Sequence, residues 1–180
     1  KNYFDFLAQN RVKSFYMSEE QMLIHRKMLN IEESKQMVIS SCFTKKDWDV
    51  LDEIAANREC DKGRYAIISG NSPYQQLAKG TQEAIEHCYI NQIPYEVLPY
   101  ETDYKKFLHN VSEYKGLCYL PLVADTCARI SIEARILGLS LCINKKVLQW
   151  RESWWRGSVE ETKEYILGRP KVFWGQINGQ

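Results

Sequence analysis

Leu120-Pro121-Leu122-Val123-Ala124-Asp125-Thr126-Cys127-Ala128-Arg129-Ile130-Ser131-Ile132-Glu133-Ala134 is the stretch that decides how this chain is read. A strand over Leu117 to Leu120 is stopped by Pro121 and runs into a loop that carries Asp125. A helix is expected from Thr126 to Leu137, ended by Gly138, and Ser140 to Ile143 reads as a strand again. Asp125 then lies at the carboxyl edge of a sheet, where open α/β sheets bind ligands. Thr126 and Cys127, opening the helix, would present backbone N–H groups to an anion. Glu133 falls about two turns in, at ~3.6 residues per turn. Its two oxygens suit it to accept hydrogen bonds from a pair of hydroxyls. A plainer account is open: Asp125 as an N-cap and Glu133 paired with Arg129. The apolar neighbours Ile130, Ile132 and Ala134 favour a packed, functional Glu133.

Outward from this stretch the pattern repeats. Tyr65 to Ser69 is a nearly continuous apolar strand, as in a parallel sheet covered on both faces. A loop follows, then a helix near Gly80 to Asn91, a strand at Tyr95 to Leu98 and a helix at Tyr104 to Val111. Strand–helix alternation of this kind predicts an α/β fold with a Rossmann-like, doubly wound parallel sheet. Before it, Val12 to Met17 reads as a strand. Ser18 with Gln21 is a capping-box signature for a helix to Leu29 that uses Met22, Leu23 and Met28 as its apolar positions. Met37 to Ser40 is a short strand, and Thr44 to Asn57 a helix with Trp48, Leu51, Ile54 and Ala55 on one face. The polar break from Asn57 to Gly63 is the best linker candidate, which divides the chain into 1–58, 59–157 and 158–180. In the last part Ser158 and Glu161 open a helix to Leu167. Gly168-Arg169-Pro170 should break it, leaving Phe173-Trp174 to dock on the body.

A second constellation is Gly70-Asn71-Ser72 after the Tyr65 strand, followed by Lys79-Gly80 opening a helix. A strand that delivers a glycine-containing loop to a helix N-terminus is a phosphate-binding arrangement, and a lysine at its end adds a mobile positive charge. The order is not that of a Walker A loop. Taken alone, Gly70 could equally be a turn residue and Lys79 a solvated charge.

Composition removes several classes. A formal net charge of +1 gives no reason to expect a nucleic-acid binder, and the apolar runs are too short for a transmembrane segment. The six cysteines form no Cys-x-x-Cys pair and the three histidines are scattered, so no zinc site is expected. Cys88, Cys118 and Cys142 sit in apolar stretches and read as small core residues in a reducing, cytoplasmic setting. Asp47-Trp48-Asp49 has the spacing of a metal-binding pair of aspartates but falls in a helical pattern, so it reads as a solvated helix edge. Trp154-Trp155 reads as core packing. The chain opens with Lys1 rather than Met, and a fragment of a longer protein is expected.

Together these motifs resemble the retaining glycosyltransferases of the two-domain GT-B type, whose hallmark is Glu-x7-Glu followed by Ala and a nearby Gly. Here Asp125-x7-Glu133-Ala134 stands with Gly138, preceded in order by Gly70 and Lys79-Gly80. Phe15-Tyr16-Met17-Ser18-Glu19 is similar to the end of that family's N-terminal domain, and Met37 to Ser40 to its crossover. The resemblance implies the donor-binding, C-terminal GT-B domain. A nucleotide diphosphate sugar would be the donor, a glycan the acceptor, and no metal would be required. Within it, Lys79, with Gly70, Asn71, Ser72, Gly80, Thr126, Cys127 and Arg129, would hold the diphosphate. Glu133 would take the ribose and Asp125 the sugar or phosphate near the reacting carbon. The acceptor half would come from an N-terminal domain or a partner chain, in the cytoplasm or at a membrane periphery. Asp125 is one methylene shorter than the family's Glu, and Asn71 replaces its loop Arg, which puts Arg129 forward as the compensating base. The alternatives are a Rossmann-type nucleotide-binding enzyme such as a sugar-nucleotide epimerase, which would want Gly-x-Gly-x-x-Gly, or a small α/β interaction module without catalysis.

Overall fold

The computed structural model describes residues 13–59 and 62–178. The chain divides into two compact units, residues 1–42 with 148–180, and the continuous stretch 43–147. The boundaries therefore fall at 42/43 and 147/148, not at 58/59 and 157/158. The helix expected to close the first domain belongs with the sheet that follows it.

The first part of the discontinuous unit is a strand–helix–strand. Strand β1 (Ser14–Tyr16), helix α1 (Glu19–Leu29) and strand β2 (Gln36–Val38) follow one another, and the strands pair in parallel, with Ser14 opposite Gln36. Ser18 caps α1 by accepting from the Gln21 N–H, and Gln21 Oε1 accepts from the Met17 N–H, one residue before the cap, at 3.0 Å. The helix forms where the capping box places it, but it buries none of its side chains. Leu23 and Met28, expected to face a core, are exposed.

The continuous unit carries the sheet. Helix α2 (Lys45–Ala56) is opened by a capping box between Thr44 and Asp47 and buries Trp48, Leu51 and Ile54. Strand β3 (Lys62–Ile68) leads to a helix α3 (Pro73–Lys79), then α4 (Thr81–Ile90) and strand β4 (Tyr95–Leu98). Helix α5 (Tyr104–Ser112), strand β5 (Tyr114–Tyr119), helix α6 (Arg129–Ile136) and strand β6 (Ser140–Ile143) complete it. All neighbours are parallel, in the order β4-β3-β5-β6. Adjacent strand residues face opposite sides of a sheet. Ile67 and Cys118 pack on Ala84 and Cys88 of α4, with Cys142 partly buried against them. Helices α5 and α6 contact β5 and, with α2, one another. Leu108, Leu117 and Ile132, wholly buried, fill that core. The fold is thus α/β with a Rossmann-like, doubly wound parallel sheet.

The chain then returns to the first unit through two short 3-10 segments, Leu148–Arg151 and Ser153–Arg156, and helix α7 (Val159–Asn178). Trp154 and Trp155 are buried, and Trp154 stacks on Tyr165 with ring centroids 4.9 Å apart. Ser158 and Glu161 form the expected cap: the Ser158 N–H donates to Glu161 Oε2 at 2.6 Å and the Glu161 N–H to Ser158 Oγ at 3.1 Å. The expected break at Gly168-Arg169-Pro170 does not occur, and α7 runs through Pro170. Pro170 lacks the N–H that would donate to the Ile166 carbonyl; Arg169 Nε donates to the carbonyl one residue earlier, that of Tyr165, at 3.1 Å. Phe173 packs on Phe15, whereas Trp174, expected to dock with it, is exposed. Among the described residues no helix is long and apolar enough to cross a membrane.

Candidate functional site

The order in which the chain adds parallel strands reverses between β3 and β5. From β3 the chain winds to β4 on one side, then crosses back to β5 on the other. Such a switch point opens a crevice at the carboxyl ends of the two strands. The loops that leave β3 and β5 are the two stretches singled out in the sequence.

After β3, the stretch expected to be a loop is the helix α3. Ser72 is its N-cap, accepting from the Gln75 N–H at 3.3 Å, and Pro73 opens it. The Asn71 N–H donates to Gln75 Oε1 at 3.2 Å, and the Gly70 carbonyl accepts from Gln76 Nε2 at 3.3 Å. Gly70-Asn71-Ser72 is therefore a helix cap, and a Cβ at Gly70 would stand 2.4 Å from that of Gln75. Lys79 lies at the carboxyl end of α3, not in a loop. Gly80 (φ +65°) turns the chain into α4, and a Cβ there would fall 1.8 Å from the Leu120 carbonyl oxygen. The Leu122 N–H donates to the Ala78 carbonyl at 3.2 Å. The Lys79-Gly80 turn thus lies directly against the loop after β5.

That loop is fixed from several sides. The Asp125 N–H donates to the Lys146 carbonyl at 2.7 Å, and Asp125 forms a parallel bridge with Val147. The Tyr119 hydroxyl donates to Asp125 Oδ2 at 2.7 Å and the Cys127 N–H to Oδ1 at 3.0 Å. Two expectations need correction here. The helix begins at Arg129, three residues later than Thr126, with Ala128 as an N-cap that makes no side-chain bond. The Cys127 N–H, expected to meet an anion, is taken by Asp125, because the short aspartate side chain folds back on its own loop. Lys79 is half-buried; burial lowers its proton affinity below that of an ordinary lysine, while the charge of Asp125 opposes the shift. A cleft of ≈ 150 Å³ beside it is lined by Ser69, Lys79, Tyr100, Glu101 and Phe107 among others.

A larger cleft, of ≈ 730 Å³, opens where the N-termini of α2, α5 and α6 meet, and Phe107 lines both. Helix α2 contributes Lys46, Asp47 and Val50; α5 and its cap contribute Asp103, Tyr104 and Lys105; α6 contributes Arg129 and Glu133. Arg129 is the hub. Its Nε donates to Glu133 Oε1 at 2.6 Å, its Nη2 pairs with Asp47 Oδ1 at 3.0 Å, and its guanidinium lies 4.4 Å from the Phe43 ring centroid and 4.9 Å from that of Tyr104. The Tyr104 hydroxyl donates to the same Glu133 oxygen at 2.9 Å. Burial pushes the Glu133 carboxyl above the usual carboxylate range, and the bonds from Arg129 and Tyr104 hold it back. Asp47 is also drawn up by burial, but hydrogen bonds from Thr44 and Arg129 outweigh that and bring it below its usual value.

The Glu133–Arg129 pair is therefore present, but inside a cleft rather than on a solvated helix face. Asp47 departs from its reading as a solvated edge, whereas Asp49 fits it, pairing with Lys45 at 2.9 Å on the surface. Asp47, Tyr104 and Phe43 were missed as site residues. Asp47 was marked only by the Asp47-Trp48-Asp49 spacing, and the Thr44-x-x-Asp47 pattern beside it signals a helix start, not a cleft. Among the described residues no group of three His, Cys, Asp or Glu side chains is arranged to hold a metal ion. No protein-family model matches the chain, and no curated protein is detectably similar to it in sequence.

Proposed function

We propose that the 43–147 unit is the donor-binding half of a glycosyltransferase and holds a nucleotide diphosphate sugar at the carboxyl edge of its sheet. The observation that carries this reading is the contact of the Lys79-Gly80 turn with the loop of Asp125 at the switch point. It brings a half-buried cation and a fixed carboxylate to one crevice, with the Arg129–Glu133 cleft across Phe107. In that arrangement Lys79 faces the diphosphate, Glu133 the ribose hydroxyls and Asp125 the sugar. On transfer the bond between the anomeric carbon and the diphosphate oxygen breaks, and the nucleoside diphosphate leaves with the electron pair. The acceptor oxygen bonds to that carbon and its proton goes to the departing phosphate or to solvent. Stabilising the charge on the leaving group is the work expected of Lys79. The acceptor, a glycan in this reading, would be held by an N-terminal domain or a partner chain.

The test is binding. UDP, GDP and ADP, their sugar conjugates and NAD are titrated against the chain by calorimetry and by thermal shift. A nucleoside diphosphate should raise the melting temperature, by the equivalent of ~2.7 kcal/mol at a hundredfold excess over Kd. If none shifts it at millimolar concentration, or NAD alone does, the reading is wrong.

A further inference from the structure

Glu133 has two oxygens in two different situations. Oε1 accepts from Arg129 Nε at 2.6 Å and from the Tyr104 hydroxyl at 2.9 Å, so both of its lone pairs are engaged. No donor among the described residues reaches Oε2, yet Glu133 is one of the residues that line the large cleft, although its side chain is only 4% exposed. The donors on Oε1 are themselves held. Arg129 Nη2 donates to the Tyr104 hydroxyl at 2.9 Å and pairs with Asp47 Oδ1. The other oxygen of Asp47 accepts from the Thr44 N–H and Oγ1, each at 2.8 Å. A chain of fixed bonds therefore runs from the start of α2 to one oxygen of one carboxylate on α6.

We infer that Tyr104 is a positioning residue for Glu133: with Arg129 it occupies Oε1 and turns Oε2, the unpaired oxygen, toward a ligand hydroxyl in the cleft. The ligand half of this statement rests on the donor-binding reading above; the positioning half does not. A tyrosine suits the place because its ring lies beside the Arg129 guanidinium while its hydroxyl reaches the carboxylate, so one side chain orients both partners of the pair. Asp47 acts from farther away, by holding Arg129 from the opposite side. The charged and titratable groups around Glu133 are Arg129 from α6, Tyr104, Asp103 and Lys105 from α5 and its cap, and Lys46 and Asp47 from α2.

Two measurements on the full chain separate the halves. In the first, the Glu133 carboxyl carbon is titrated by NMR, assigned by its loss in E133Q, in wild type, Y104F and D47N. Y104F keeps the ring and removes one donor to the carboxylate, so the Glu133 midpoint should rise. D47N removes a neighbouring negative charge and should lower it. A merely structural tyrosine would leave the midpoint where it is. In the second, a nucleoside diphosphate and its 2′,3′-dideoxy analogue are titrated into wild type and Y104F. The ribose ligand should weaken about three- to tenfold and the dideoxy ligand less than about twofold, the size of one lost hydrogen bond. An unmoved Glu133 midpoint in Y104F overturns the inference. Equal losses for both ligands overturn its claim on the hydroxyl. A shifted midpoint with no nucleotide bound by wild type leaves Tyr104 as the positioning residue and removes the donor-binding reading.

Discussion

The Tyr119 hydroxyl closes onto Asp125 Oδ2 at 2.7 Å and so ties the last residue of β5 to the loop that leaves it. Burial, and then the aspartate itself, keep the phenol protonated and donating. Y119F deletes this bond and leaves the ring. Bonds to charged groups contribute about 1.5–3 kcal/mol when buried, and Asp125 is partly exposed, so a loss of about 1 kcal/mol is expected in urea unfolding. No measurable loss would mean that the Lys146 and Val147 backbone holds the loop unaided.

Gly80 is the tightest backbone position in the crevice, with a left-handed φ and a carbonyl 1.8 Å from where a Cβ would stand. G80A should cost about 3 kcal/mol or more, because both strain and collision oppose it. Gly63, in the exposed part of β3, has nothing within 4 Å of a Cβ. G63A should therefore stay within about 0.5 kcal/mol of wild type. Similar denaturation midpoints for the two variants would contradict the close approach of α3–α4 to β5.

Lys79 supplies a pH test with a fixed sign. Burial lowers its folded-state value, so between that value and that of an ordinary lysine the folded chain holds fewer protons than the unfolded one. The contribution of Lys79 to stability then rises with pH across that window. Its attraction for an anion does the reverse and fades as the charge is lost. Nucleoside diphosphate affinity should fall at alkaline pH with a midpoint below that of a free lysine, and K79Q should flatten that limb. A limb that survives K79Q belongs to another group.

Much of the sheet was legible because its signals are local. Tyr95 to Leu98 and Ser140 to Ile143 appear with the bounds read from their apolar runs, and α1 starts just after the Ser18 cap and ends at Leu29, as read. Helix α3 escaped because Asn71-Ser72-Pro73 resembles a loop. Ser72 as N-cap with Pro73 at the first helical position was nonetheless a start signal. The start of α6 was misplaced because Asp125 spends its capping oxygen on its own Asx turn. Of the larger cleft only Arg129 and Glu133 were legible. Its hub joins Arg129 to Asp47 and Tyr104, residues brought together by the packing of three helices and not by any spacing along the chain.

Pro170 lies inside α7 with no break in the helix. Proline in a helix interior costs about 3 kcal/mol relative to alanine, and the Arg169–Tyr165 bond does not reach the Ile166 carbonyl that the proline leaves without its helical donor. P170A should raise the denaturation midpoint, by about 1–3 kcal/mol in free energy. R169A should lower it by less than about 1 kcal/mol. A destabilised P170A would show that the proline is matched to a bend that the helix needs.

The order of the units along the chain also sets the order in which they can be made. Residues 43–147 emerge from the ribosome as one block, whereas the other unit needs residues from both sides of that block. The exit tunnel holds the last few tens of residues made, so the sheet with both clefts is clear of the ribosome and free to fold while α7 is still inside the tunnel. The strand–helix–strand that precedes the block must wait for the segment that follows it. A chain stalled with residues 43–147 clear of the tunnel should carry a folded sheet and an unfinished companion.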